Sequence, residues 1–282
     1  MNLREALKAG ESYLAEKGVA DAATDAWYLM AYSMKEEFGA ALDKTWYLMH
    51  WEEPMLPAQY ARYQSLLAVR GKRIPLQHIT GEQEFMGFSF LVSDKVLIPR
   101  QDTETLVEEA LKKLKPGMRV LDMCTGSGCI IVSLMKLLPG ITGVASDVSK
   151  EALAVAQANA EKLGTCVDFR QGDLFEPVAG RFDLVISNPP YIPTKEIDRL
   201  MSEVRFYDPL RALDGGSDGL DFYRKLVTES REYLQPGGWL MVEIGCEQGT
   251  AVSHMMHSTD YQNIYTVKDL AGLCRVVAGQ WP

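Results

Sequence analysis

The chain of 282 residues lacks an excess of positive charge: 29 Lys and Arg stand against 38 Asp and Glu, a formal net charge of −9. A duplex-binding protein displaces counterions with a basic face, so this balance excludes a broad phosphate-binding surface and no stable DNA binding is expected. No apolar run approaches the ~20 residues that cross a bilayer, so no membrane partner is expected. The opening residues, MNLREALKAG, hold no apolar core and no small-residue cleavage site, which argues against a secretory signal. Cysteine is sparse and unpatterned. Cys124, Cys129, Cys166, Cys246 and Cys274 form no Cys-x-x-Cys pair, which speaks against a disulfide framework or zinc site and for reduced thiols in a cytoplasmic protein. His254 and His257 have no third ligand at metal spacing and read as a surface helix face, so no metal is expected.

What is present divides in two. The first 80 or so residues read as helices. Asn2 with Glu5 makes a capping box ahead of Leu3, Ala6, Leu7 and Leu14. Asp21 caps a second helix with an apolar face of Ala23, Trp27, Met30 and Ala31. A third segment, around residues 40–51, carries Leu42, Trp46, Tyr47 and Met49. A fourth helix opens at Pro57 and stops at Gly71, with Pro first and Gly last. Arg70, Lys72 and Arg73 form a short basic run that reads as a solvated helix end or a docking spot. Residues 84–92 alternate around Gly87, as in a hairpin. Asp102 then caps a helix over residues 103–114. Beyond it, strand-like segments at 120–123, 142–146, 167–170, 182–187 and 239–244 alternate with helices, and two weaker ones lie near 264–267 and 275–278. This order predicts an α/β fold with a parallel, doubly wound sheet. Ligands of such sheets sit beyond the carboxyl ends of the strands.

Those ends carry the informative residues. After the first strand come Asp122, Met123, Cys124, Thr125, Gly126, Ser127 and Gly128. Gly126 and Gly128 allow a sharp turn and a close backbone approach to a ligand. The next strand ends at Asp147, 21 residues after Gly126, where a carboxylate can accept from both ribose hydroxyls. The third leads to Asp173 and Leu174, and the Asp173 carboxylate can accept from an adenine amine. A dinucleotide fingerprint needs a third glycine where Ile131 stands. Asp122 suits an ammonium group better than a pyrophosphate. Both points favour S-adenosyl-L-methionine, with S-adenosyl-L-homocysteine as its product. A plain strand–helix turn would explain the two glycines but not Asp147 and Asp173 in register.

The fourth strand ends in Asn188, Pro189, Pro190 and Tyr191, with Pro193 close behind. Prolines fix the backbone and donate no N–H, so the segment offers carbonyls, the Asn188 side-chain oxygen and one aromatic face. A planar NH2 group is a poor nucleophile because its lone pair is delocalised. With one N–H on the Asn188 oxygen and the other on the Pro189 carbonyl, its nitrogen is held in line for methylation and can pyramidalise. Tyr191 would stack on the substrate plane. The bland alternative is a proline-rich turn that closes a strand.

Residues 122–128 followed by Asn188-Pro-Pro-Tyr resemble class I methyltransferases that modify amino nitrogens. Adenine-N6 DNA methyltransferases and protein-glutamine methyltransferases share that tetrapeptide. Pro75-Leu-Gln-His-Ile-Thr-Gly-Glu-Gln-Glu-Phe, Val96-Leu-Ile-Pro-Arg-Gln-Asp-Thr-Glu and the stretch from Glu203 to Leu220 are similar to the release-factor glutamine methyltransferases, the PrmC or HemK family. The resemblance implies a Rossmann-like class I methyltransferase sheet in residues 101–282, an N-terminal helical-bundle domain for substrate recognition in 1–83, and a β-hairpin linker in 84–100. It also implies methylation of the glutamine in the Gly-Gly-Gln motif of class-1 peptide chain release factors. In that picture Asn188, Pro189, Pro190 and Tyr191 hold the amide, and Arg100 and residues 203–219 shape the substrate mouth. Residues 124–128, Asp122, Asp147, Asp173, Leu174 and Asn188 border the cofactor.

Three positions depart from the commoner family pattern. Cys124 stands where a first glycine is usual, Gln101 where a proline follows Ile-Pro-Arg, and Asp208 where a glutamate precedes Pro209. A DNA adenine methyltransferase would need phosphate contacts, yet residues 1–83 hold 9 basic and 11 acidic side chains. A ribosomal-protein glutamine methyltransferase is a closer rival, opposed only by the N-terminal domain and linker. A non-catalytic cofactor-binding scaffold would have no use for the acceptors at Asn188. Residues 192–219 show few helical or strand signals and read as a mobile binding lid.

Overall fold

The computed structural model describes residues 1–38 and 42–282, with the side chains of 35–38 left aside. The chain forms two compact units, Met1–Gly81 and Glu82–Pro282.

In the first unit, capping and apolar spacing decide the helices: α1 (Leu3–Glu16), α2 (Ala22–Phe38), α3 (Lys44–His50), α4 (Pro57–Arg70) and the short α5 (Leu76–Thr80). Asn2 and Glu5 cap each other's backbone N–H groups at 2.8 and 3.0 Å, as the capping box predicts. Pro57 opens α4 and Gly71 closes it. The start assigned to the third segment at Ala40 lies outside the described residues; α3 itself begins after the Asp43 cap. Leu3, Ala6, Leu14, Trp27, Met30, Tyr63 and Leu67 share one core. Ala23 is exposed, and Ala26 and Leu29 are buried in its place. The buried face of α2 also includes Asp25, whose carboxylate accepts from Arg70 at 2.6 Å. Arg70 is thus no solvated helix end: it is 6% exposed and its charge is neutralised inside the bundle.

The second unit opens with a hairpin, β1 (Glu82–Phe85) and β2 (Phe88–Leu91). Met86 and Gly87 both have positive φ, the geometry that matches a two-residue turn to the twist of its strands. The Asn159 side chain holds Leu91 by both backbone groups, at 2.6 and 3.0 Å, so the hairpin is fastened to the second unit. There follow α6 (Gln101–Leu111), β3 (Arg119–Met123), α7 (Cys129–Leu137), β4 (Thr142–Asp147), α8 (Lys150–Leu163), β5 (Val167–Gln171) and β6 (Phe182–Ser187). Then come α9 (Ser202–Tyr207), α10 (Asp221–Tyr233), β7 (Leu234–Glu243), α11 (Gly249–His257), β8 (Gln262–Lys268) and β9 (Cys274–Gln280). Helix α6 starts two residues before Thr103, with Arg100 and not Asp102 at its cap, and ends at Leu111.

The seven strands lie in the order β5-β4-β3-β6-β7-β9-β8. The first five run parallel, while β9 is antiparallel to both its neighbours. The wholly parallel sheet expected from the alternation therefore fails at one edge, where the tight turn between β8 and β9 is too short for a crossover helix. Apolar clusters centred on Ile131, Leu184 and Met241 and on Leu121, Val185 and Leu240 fill the two layers.

Register places the chemistry. Met123 pairs with Ser146 on one side and Ser187 on the other, and Ser187 pairs with Val242. One residue further along each chain stand Cys124, Asp147, Asn188 and Glu243, in one row at the carboxyl edge of the sheet.

Candidate active site

The row opens into a cleft at the sheet edge. Its wall includes Cys124, Thr125, Gly126, Ser127, Asp147, Asp173, Leu174, Asn188, Pro190 and Arg100. Thus ten of the residues singled out in the sequence come together. Asp122, Gly128, Pro189 and Tyr191 are not among its lining residues.

The loop after β3 is built around two carboxylates. Asp122 is fully buried and accepts from the Thr125 hydroxyl at 2.6 Å. Its other oxygen has no hydrogen-bond partner among the described residues, and burial pushes its carboxyl up to about 7. Asp122 therefore anchors the loop from beneath, and the direct contact expected with an ammonium group is not offered. Asp147 accepts from the backbone N–H of Gly126 and of Ser149, both at 2.9 Å. Burial raises its carboxyl while those N–H groups pull it down. Each oxygen keeps a second lone pair, so Asp147 can still receive hydroxyl donors.

At Gly126 φ is +54° and an added Cβ would meet nothing within 4 Å; the space above it is ligand space. Gly128, in the left-handed conformation, starts α7 where a Cβ would come within 3.1 Å of Ala156, so it sets helix packing. Cys124 has φ +57°, a conformation that costs a non-glycine residue about 1–2 kcal/mol. Its side chain interacts with Ser187, and burial raises the thiol far above its ordinary value, leaving it neutral and a poor nucleophile. The loop thus admits a side chain where glycine is usual. Asp173 is exposed and lies 3.4 Å from the Lys225 ammonium.

Asn188 donates from Nδ2 to the Thr103 hydroxyl at 3.2 Å, which leaves its side-chain oxygen for the cleft. Tyr191 does not present its ring to the cleft. It packs against the core, and its hydroxyl donates to Glu243 at 3.4 Å. Its backbone is clamped: the Tyr191 carbonyl accepts from Gln248 at 2.9 Å, and Ile192 exchanges bonds with Leu213 and Gly215 at 2.9 Å each.

The segment 192–219, read as poor in regular structure, contains a 3-10 turn at Thr194–Arg199, α9, and a second 3-10 turn at Leu210–Ala212. These pieces are too short to register as a 3.6-residue period. Pro209, Arg211 and Ala212 line the cleft. Just before them Asp208, with a side chain wholly hidden from solvent, accepts from Arg100 at 2.6 Å. The shorter carboxylate at 208 still reaches its partner. Lys95, Val96, Thr103 and Phe222 also line the cleft. Thr103 lay in the quoted resemblance without an assigned role, and nothing in the local pattern marks Phe222.

Residues 5–81 match the family described as PrmC N-terminal domain, and residues 101–216 match methyltransferase small domain. A release factor glutamine methyltransferase from Geobacter sulfurreducens is 46% identical over 279 residues, covering 99% of this chain and 96% of the relative. The chain belongs to the release factor glutamine methyltransferase family. Another family member, from Cereibacter sphaeroides, is 40% identical and matches 100% of this chain and 99% of its own length. A methyltransferase from Pyrococcus furiosus shares the fold at a TM-score of 0.53 and 19% identity, over 78% of this chain and 98% of its own. Membership agrees with a sheet edge that joins a glycine loop to Asn188-Pro-Pro-Tyr. Among the described residues no helix is long and apolar enough to cross a membrane.

Proposed function

We propose that this family member methylates the side-chain amide nitrogen of the glutamine in the Gly-Gly-Gln loop of class-1 peptide chain release factors, in the cytoplasm, with S-adenosyl-L-methionine as donor. The observation that carries the reading is Asn188: its Nδ2 is engaged by Thr103, so its oxygen faces the same cleft as Asp147 and Gly126.

The donor set fits the cofactor. Asp147 has lone pairs for ribose hydroxyls, Gly126 admits close approach, and Asp173 and Leu174 border the adenine. Asp122, one layer below, keeps Thr125 in place. The cofactor supplies, when bound, an electrophilic methyl group on a sulfonium. The protein does the rest by orientation. The Asn188 oxygen and the Pro189 carbonyl accept the two amide N–H bonds, hold the nitrogen at the mouth of the cleft, and stabilise the positive charge that develops on it. Pro190 forms the adjacent wall. Tyr191 holds the loop from behind, a change from the stacking role its ring suggested. Arg100 and Asp208 brace the mouth, and residues 1–83 recognise the protein substrate.

Asn188→Ala tests the reading. Cofactor affinity by calorimetry should stay within a few-fold while turnover falls by about 10²-fold or more, the worth of one positioned partner of developing charge. Loss of cofactor binding together with turnover would make Asn188 a structural residue and remove the support.

A further inference from the structure

Arg211 stands in the cleft wall and has no part in the chemistry above. Three cationic side chains line that cleft: Lys95, Arg100 and Arg211. Two are engaged, since Lys95 donates to Asp94 at 2.7 Å and Arg100 to Asp208 at 2.6 Å. Arg211 alone of the three makes no ion pair or side-chain hydrogen bond among the described residues. Its support is nevertheless fixed. The 3-10 turn at Leu210–Ala212 closes with Ala212 N–H donating to the Pro209 carbonyl at 2.8 Å and Leu213 N–H to that of Leu210 at 3.0 Å. On one side of the turn Asp208 is tied to Arg100. On the other, Leu213 is buried and its carbonyl accepts from Ile192 at 2.9 Å. An unpaired guanidinium on a pinned turn is a set of donors without acceptors.

We infer that Arg211 is a further cofactor-binding residue, donating to the oxygens of the ribose hydroxyls whose hydrogens Asp147 accepts. The inference rests on reading the cleft as the S-adenosyl-L-methionine site. A hydroxyl has one hydrogen and two lone pairs. The Asp147 carboxylate takes only the hydrogens, so the ribose lone pairs still need a donor. The Ser149 hydroxyl beside Asp147 is spent on Glu151 at 3.0 Å, and Lys95 and Arg100 are engaged. Arg211 remains, and its planar fork of N–H groups suits two neighbouring oxygens. Its place in the wall agrees. With Ser149, Glu151 and Lys95 it lines a second, shallow depression, which sets it beside the turn that follows Asp147. The acids there have other partners: Asp94 has Lys95, Glu151 has Ser149, and Asp214 accepts from the Thr194 hydroxyl at 2.7 Å. The charge of Arg211 also favours the ionised carboxylates of Asp147 and Glu151. Arg211 thus serves the methyl donor, not the amide.

Binding without turnover tests this. Calorimetry of the full-length protein with S-adenosyl-L-homocysteine, and with its 2′-deoxy and 3′-deoxy analogues, reads the ribose contacts directly. Arg211→Ala should weaken S-adenosyl-L-homocysteine by about tenfold, the worth of one hydrogen bond from a charged donor. Deleting a hydroxyl should cost the unaltered protein several-fold more than it costs Arg211→Ala, because the variant has already lost that partner. Arg211→Lys keeps the charge without the fork and should recover only part of the affinity. Arg211 is exposed, so the Tm of the ligand-free variants should match the original. Equal affinity of Arg211→Ala and the unaltered protein, or equal hydroxyl-deletion losses in both, would overturn the inference. Full recovery in Arg211→Lys would overturn it too, since Arg211 would then act as a charge through space. Failure of the unaltered protein to bind S-adenosyl-L-homocysteine would sink the cofactor reading itself, and this inference with it.

Discussion

Gly215→Ala adds one methyl group to a residue that touches no ligand, and it should nevertheless cripple turnover. An added Cβ would stand 2.7 Å from the Tyr191 Cα and 2.9 Å from the Pro190 carbonyl oxygen. Ordinary contact begins near 3.4 Å, so backbone must give way by about 0.7 Å. The obstacle is main chain, not the end of a pliable side chain, and it is pinned by the Ile192–Gly215 and Gln248–Tyr191 hydrogen bonds. A misplacement near 1 Å in a reactive group costs about 10²-fold in rate, and overpacking of this kind costs about 1–3 kcal/mol of stability. No left-handed φ is recorded at Gly215, so backbone strain adds nothing and the effect is steric. Steady-state kinetics with release factor, thermal melting and cofactor calorimetry separate the terms. The expected result is kcat down about 10²-fold, a Tm lower by several degrees, and cofactor affinity within a few-fold of the original. Full turnover in a folded Gly215→Ala protein would refute the claim that Pro190 and Tyr191 must stay where they are.

Gly126→Ala should act on the opposite half of the site. Its Cβ meets no protein atom within 4 Å but enters ligand space at a positive φ, so cofactor affinity by calorimetry should fall tenfold or more while stability drops only by the ~1–2 kcal/mol of the left-handed conformation. Asp122 makes stability depend on pH with an unusual sign. Burial raises its folded value to about 7, so between roughly pH 4 and pH 7 the folded chain keeps a proton that the unfolded chain has lost. Its contribution therefore weakens as pH rises through that window, by on the order of 4 kcal/mol at most for three units. Asp122→Asn should flatten the fall in Tm between pH 5 and pH 8, and equal slopes in variant and original would refute the assignment.

How much of this was legible in the sequence depends on the range of the interaction. Capping at Asn2, the limits of α4 and the order of β3 to β7 are set by neighbours a few residues apart, and the sequence carries them. Cys124, Asp147 and Asn188 were legible as strand ends because parallel register brings strand ends to one edge. Asp122 and Tyr191 were recognised as site residues but turned the wrong way, since the direction of a side chain at a strand end depends on partners such as Thr125 and Glu243. Glu243 itself was invisible: it ends an apolar strand with no motif around it, and its side-chain partner, the Tyr191 hydroxyl, lies 52 residues away. The turns within 194–212 escaped because each is shorter than two helical turns. Arg70 was misread because its partner, Asp25, lies 45 residues away.

The central claim is that the row at the sheet edge serves methyl transfer to one glutamine amide. Purified protein, with methyl-labelled S-adenosyl-L-methionine, is incubated with release factor, with the same factor carrying alanine for the Gly-Gly-Gln glutamine, and with DNA. The account predicts label on the unaltered release factor alone. Equal label on the alanine variant, or label on DNA, would contradict it.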